Sequence, residues 1–189
     1  MAKSEPRIYQ IKITLVDSKP SIWRRLLVSS ETTLFQLHHI IQVVMPWTDS
    51  HLHMFEIGET RYSAPYEPGA LAELDMKDER RVKLGKIAPV EKLKFVYEYD
   101  FGDSWYHNIL VEKILPFDPD QQLPICLKGK RACPPDDSGG IWSYPYFLEA
   151  LQDPDHPDHD MYSEWMGDEP FDPEAFDLEA INQDLQALR

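Results

Sequence analysis

Cysteine is nearly missing from this chain of 189 residues: Cys126 and Cys133 are the whole supply. Their C-x6-C spacing is poor for structural zinc, and no second pair exists to complete four ligands. No stretch approaches the ~18 apolar residues that a membrane helix needs, so a membrane role is not expected. The opening MAKSEPRIYQ has no apolar segment of the kind that secretory signals carry. With so few thiols and no export signal, a reduced, cytoplasmic setting is the expectation.

Lysine and arginine are absent from residues 132–188, which carry 15 Asp and Glu, whereas residues 1–131 hold 18 acids against 18 bases. The net charge of −14 therefore resides wholly in the C-terminal third. Such a surface repels phosphate backbones, which disfavours direct nucleic-acid binding and suits a basic protein partner. Internal repeats and low-complexity tracts are also lacking, DPDHPDHD at 153–160 being the nearest approach.

Hydrophobic residues make up 42% and aromatic residues 12%, enough to bury a core. RIYQIKITLV at 7–16 alternates, with Tyr9, Ile11, Ile13 and Leu15 on one face. After the turn signal Asp17-Ser18-Lys19-Pro20, the IWRRLLV segment returns as a second strand. Adjacent Arg24 and Arg25 put one guanidinium on each face, and the inward one is expected to meet a carboxylate. Thr33 and Gln36 form a capping box ahead of LFQLHHIIQVVM, a helix that should lie on the hairpin's sheet. Further strands are expected at 51–57, 60–63, 81–84, 94–100 and 105–114, with irregular chain at 64–79 and 116–140. Helices are expected over 144–151 and from Asp172-Pro173 towards Leu188. This order predicts an α+β fold: a mixed, mainly antiparallel sheet, one early helix packed on it and helices at the C-terminus. A single domain is expected, with a neutral core over about 7–131 and an acidic loop and helix region over 132–189.

Reactive side chains crowd into YEYDFGDSWYHNILVE, 97–112. Gly102 can supply a positive φ between two strands, while Asp100 and Asp103 can bond turn amides or face a ligand. The Asp-Phe-Gly triplet is not a kinase signature, because no Gly-rich loop, VAIK-type lysine or HRD loop accompanies it. A Gly102-Asp103-Ser104 hydrolase is disfavoured, because a nucleophilic serine sits where a strand enters a helix and WYHNILVE continues as strand. The acids from Asp153 to Glu164 do not form a calcium loop, since Asp158 occupies the position that needs glycine.

A pocket built from Asp100, Asp103, Trp105 and His107, the His51-x-His53 strand and the Asp136-Asp137 loop is the leading expectation. His51 and His53 point the same way from one strand, so with a turn carboxylate they can share a divalent metal. Cys126 and Cys133 are weaker metal candidates. Gly139-Gly140 allows close backbone approach to a ligand.

The blocks IWRRLLV, LHHIIQVVMPW, HLHMFEI, YDFGDSWYHNILVE, CPPDDSGG and FDPEAFDLEAIN together resemble the Ri-plasmid ORF-3-like family, whose members also carry the label of insertion-element passenger TnpR proteins. The resemblance covers nearly the whole chain. It implies a characteristic residue set of His51, His53, Asp100, Asp103, Trp105, His107, Asp136 and Asp137. It also implies a further cysteine in relatives at the position of Ser138, which leaves any thiolate set with Cys126 and Cys133 one ligand short here. A resolvase role does not transfer, because a serine among arginines and a basic helix-turn-helix are both missing. Three functions are therefore expected: a soluble, mobile-element-associated accessory or binding module using the polar pocket; a metal-dependent hydrolase using His51, His53 and a carboxylate; or an acidic interaction domain.

Overall fold

The computed structural model describes residues 5–65, 69–167 and 170–188. Its elements are β1 (Arg7–Leu15), β2 (Trp23–Ser29), α1 (Leu34–Val44), β3 (His53–Ile57), β4 (Thr60–Ser63), α2 (Ala70–Glu73), β5 (Met76–Asp78), α3 (Leu84–Ile87), β6 (Lys94–Tyr99), β7 (Trp105–Pro116), β8 (Ile125–Lys130), α4 (Gly140–Gln152), α5 (His159–Met166) and α6 (Leu178–Ala187). The fold is α+β. Eight strands form one sheet in the order β5-β4-β3-β6-β7-β1-β2-β8, and every pairing is antiparallel except β4 with β5. Among the described residues no helix is long and apolar enough to cross a membrane.

One face of the sheet is dry and the other wet, as alternating antiparallel strands dictate. Ile11, Ile13 and Leu15 of β1, Tyr97 and Tyr99 of β6 and Ile109 and Val111 of β7 are buried in one cluster. Onto them α1 lays Leu34, Leu37, Ile41 and Val44, spaced to form a single stripe. Its start is fixed by the capping box: Gln36 N donates to Thr33 Oγ1, and the Gln36 side chain accepts from Thr33 N. On the wet face, Arg25 forks onto Glu112 at 2.7 and 2.8 Å and Gln10 donates to the same carboxylate.

Arg24 corrects an expectation. It is the inward residue, but its Nε donates to Val44 O at the C-terminal end of α1 and its Nη1 to Trp23 O and Lys130 O. Orphan carbonyls at a helix end satisfy a buried cation as a carboxylate would. The Phe176 ring covers the guanidinium at 4.8 Å. That ring occupies space only a glycine leaves open, since a Cβ on Gly129 of β8 would lie 2.4 Å from it.

Four local expectations change. Residues 125–130, expected to be irregular, form β8 because β2 offers them a partner edge. Part of 64–79 becomes β5 beside β4, while 66–68 lie outside the described residues. RVKL is not a strand: Glu79–Arg81 form a 3-10 turn and Leu84 opens α3, leaving Lys83 in a lone bridge to Thr33. The last helix begins at Leu178, where Asp177 accepts from the amides of Glu179 and Ala180; Asp172 caps only a turn.

Candidate functional site

Three segments meet at the end of the sheet formed by β3, β6 and β7. The first is the stretch after α1, where Trp47 Nε1 donates to Pro134 O at 2.9 Å and the Thr48 amide and hydroxyl both donate to Asp136 Oδ2. The second is the β6–β7 turn. Here the left-handed residues are Asp100 (φ 57°) and Ser104 (φ 53°), not Gly102. Gly102 packs closely under Asp100, whose Oδ1 accepts from its amide at 2.9 Å and would sit 3.1 Å from a Cβ there. The third segment is the loop into α4. Gly140, at φ 78°, lies so close to the turn that a Cβ would stand 2.5 Å from Asp103 O, and the Gly139 amide donates to Asp103 Oδ2. The double glycine therefore serves a close approach between two backbones within the protein.

This stitching brings one residue from each segment to a point. His51 Nε2 lies 3.0 Å from Asp137 Oδ1 and 3.7 Å from Asp100 Oδ2, and the ligand atoms of all three lie within 4.8 Å of one another. Neither contact has hydrogen-bond alignment, and His51 Nε2 is shielded from solvent without a partner among the described residues. Asp100 and Asp137 both hold left-handed backbone, a conformation aspartate tolerates better than most residues and one that gathers at functional sites.

His53 takes a different path. Because β3 begins at His53, His51 precedes the strand, and the two imidazoles enter separate clusters. His53 Nε2 lies 2.9 Å from the fully buried Glu79, and its ring stacks on His38 with centroids 3.4 Å apart. His38 sits in a closed circuit. The carboxylate of Asp49 only accepts, so the neutral His38 ring keeps its proton on Nε2 and its Nδ1 accepts from Tyr97 OH at 2.8 Å, a hydroxyl that in turn accepts from Gln42 Nε2. His38 Nε2 donates to Asp49 Oδ1 at 2.7 Å, while the Asp49 amide donates back to Gln42 Oε1. Burial, then the neighbouring His53, hold His38 down at about 3, and burial pushes the Tyr97 hydroxyl well up. A cleft of about 340 Å³ lies over this circuit, lined by His38, His39, Asp49, His51, His53 and Ser63.

The remaining expected residues lie outside this convergence. Asp103 and Asp136 tether the loops as described. Trp105 and His107 are fully buried core residues; His107 lies edge-on to Trp47 at 5.1 Å, and burial lowers it to about 3. Cys126 and Cys133 are buried, and burial raises both thiols, Cys133 to about 12. Neither joins a converging set of three ligands among the described residues. His38, Asp49, Glu79 and Tyr97 were not singled out from sequence. The available signal was His38 itself, an imidazole on the apolar stripe between Leu34 and Ile41.

His38, His39 and Asp49 also converge, but the circuit fixes a proton on the His38 nitrogen that faces Asp49. An ion there would have to displace that proton. The His51–Asp100–Asp137 group is under no such constraint.

Two similar proteins carry no assigned activity. The chain is 34% identical to an uncharacterized protein, y4hQ, of Sinorhizobium fredii, over 96% of this chain and 92% of that one. A crystal structure of a protein of unknown function, MM3350, from Methanosarcina mazei Go1 is 36% identical and superposes with a TM-score of 0.79 over 96% of this chain and 99% of that chain. The family model for plasmid pRiA4b ORF-3-like proteins matches residues 7–180, so the chain belongs to that family.

Proposed function

We propose that this chain is a binding protein that holds a divalent cation between His51, Asp100 and Asp137 and uses it to retain an anionic ligand beside the cleft. The observation that carries this reading is the unaligned convergence of one imidazole nitrogen and two carboxylate oxygens from three segments. Ligands of one ion with bonds of ~2.1 Å stand about 3.4 Å apart in tetrahedral geometry. The contacts at 3.0 and 3.7 Å bracket that spacing. A cation also neutralises two facing carboxylates that otherwise oppose one another. The imidazole and carboxylate donors favour zinc or manganese over ions that select thiolates. Three protein ligands leave coordination positions for an anion or for water. The hydrolytic reading shares this centre, with Asp100 and Asp137 in place of His53.

The test is metal analysis of tag-free protein and calorimetric titration with Zn²⁺ and Mn²⁺. The wild type should bind one ion, and His51→Ala or Asp137→Asn should weaken binding at least about a hundredfold, since even outer partners of metal sites are worth 10–100-fold. Equal binding by wild type and both variants would reduce the cluster to an ordinary ion pair.

A further inference from the structure

The acidic third of the chain carries a feature that charge alone does not explain. Trp142 on α4 is 80% exposed, and Tyr146, one turn later, is 45% exposed. Alongside, α5 presents Met161 and Trp165 at the same i, i+4 spacing, 54% and 46% exposed. The rings continue from one helix to the other: Tyr146 lies 6.5 Å from Tyr162, and Tyr162 6.3 Å from Trp165. Beneath them Phe147 is fully buried and edge-on to both Tyr162 and Trp165. The ridge is thus held from below and bare above.

Its border is anionic. Tyr146 OH donates to Asp158, Glu149 lies beside the same ring, and Asp160 and Glu164 are exposed on α5. No Lys or Arg occurs anywhere in 132–188 to occupy these faces from within. Indole and phenol faces attract guanidinium and ammonium groups, and more so with carboxylates alongside. Contiguous exposed rings of this kind mark interaction surfaces, and excess negative charge decides the sign of the partner.

We infer that the Trp142–Tyr146–Tyr162–Trp165 ridge docks a basic protein segment, laying arginine or lysine side chains across the rings and against the bordering carboxylates. This surface is independent of the cation centre, since it uses none of His51, Asp100 or Asp137.

The probe is a nonapeptide of alternating Arg and Gly, with a Glu-for-Arg peptide and spermidine as controls, followed by tryptophan fluorescence at low salt. Saturable binding of the Arg peptide alone is expected, weakening about tenfold or more between 20 and 200 mM salt. Trp142→Ala and Trp165→Ala should each weaken it about fivefold or more, the range of an exposed cation–π contact of ~1 kcal/mol. Trp142 is 80% exposed and is the decisive variant: unchanged circular dichroism and melting should accompany its loss of binding. Trp165, edge-on to Phe147, is compared only under conditions where Trp165→Ala is fully folded. His51→Ala should bind the peptide normally even if it fails to bind metal. No binding, equal affinity for spermidine, or equal binding by the tryptophan variants would overturn the inference, the last two leaving unspecific charge attraction.

Discussion

His38 and His51 each face an aspartate across about 3 Å, at 2.7 and 3.0 Å, yet their surroundings differ in kind. Around His38 every polar atom has a partner: Tyr97 on one nitrogen, Asp49 on the other, and Gln42 closing the ring of bonds. Around His51 the carboxylates of Asp100 and Asp137 converge without alignment, and Nε2 has no hydrogen bond. Satisfaction makes a brace, because a buried polar circuit is costly to open and has no valence to spare. Convergence without satisfaction is the feature on which the proposed cation site rests. Residue type and proximity are the same in both clusters; hydrogen-bond completeness distinguishes them.

Acid offers the strongest way to break this contrast. His38 and His107 both lie near 3 in the folded protein against about 6.5 when free. The unfolded chain therefore takes up these protons first. The stability they lend is intact above pH 6.5 and drains away as pH falls towards 3. Together they should remove on the order of a few kcal/mol between pH 7 and 5. Urea midpoints measured at the two values test this, and His38→Gln should roughly halve the slope.

Opening the circuit at neutral pH comes next. His38→Ala leaves a cavity, a Tyr97 hydroxyl without its acceptor and a carboxylate without its donor, and should cost about 3 kcal/mol in urea unfolding. Cation affinity should stay within about twofold of wild type if the two clusters are separate, as additivity of distant sites requires. A smaller loss, about 1–2 kcal/mol, is expected for Gly140→Ala. It strains a left-handed residue and pushes α4 away from Asp103. Because that approach places Asp137, this variant should lose cation binding as well, linking fold to site in one measurement. Asp137→Asn should have the smallest effect on stability, within about 0.5 kcal/mol, since the residue is exposed. It should nevertheless abolish the rise in melting temperature on adding Zn²⁺ or Mn²⁺.

The regular elements were legible where pattern and packing agree. Tyr9 to Leu15 alternate because one face of β1 is core, and Thr33 with Gln36 announced α1 through a bond each makes to the other's backbone. β8 was illegible because ICLKGK has no alternation; its strand state comes from pairing with β2 and from the Phe176 ring over Gly129. At the candidate site, His51, Asp100 and Asp137 were nameable, but their convergence depends on Trp47, Asp103, Asp136 and Gly140, whose contacts span long separations in sequence. His53, Trp105 and His107 share residue types with the site and sit in the core, a difference that lies in strand facing and depth. Glu79 could not be foreseen, because its meeting with His53 is fixed by the path of the chain from β5 to α3.

The Phe176 lid over Arg24 ties the two electrically unlike parts of the sequence together. A chain ending before that ring would leave a guanidinium without its cover at the edge of β2 and a groove against Gly129 open to water. The acidic tail is in this sense the plug of a socket formed by the neutral part. Shortening the chain should loosen the sheet at β8 before any acidic surface function is lost, and hydrogen exchange along Ile125–Lys130 would register it first.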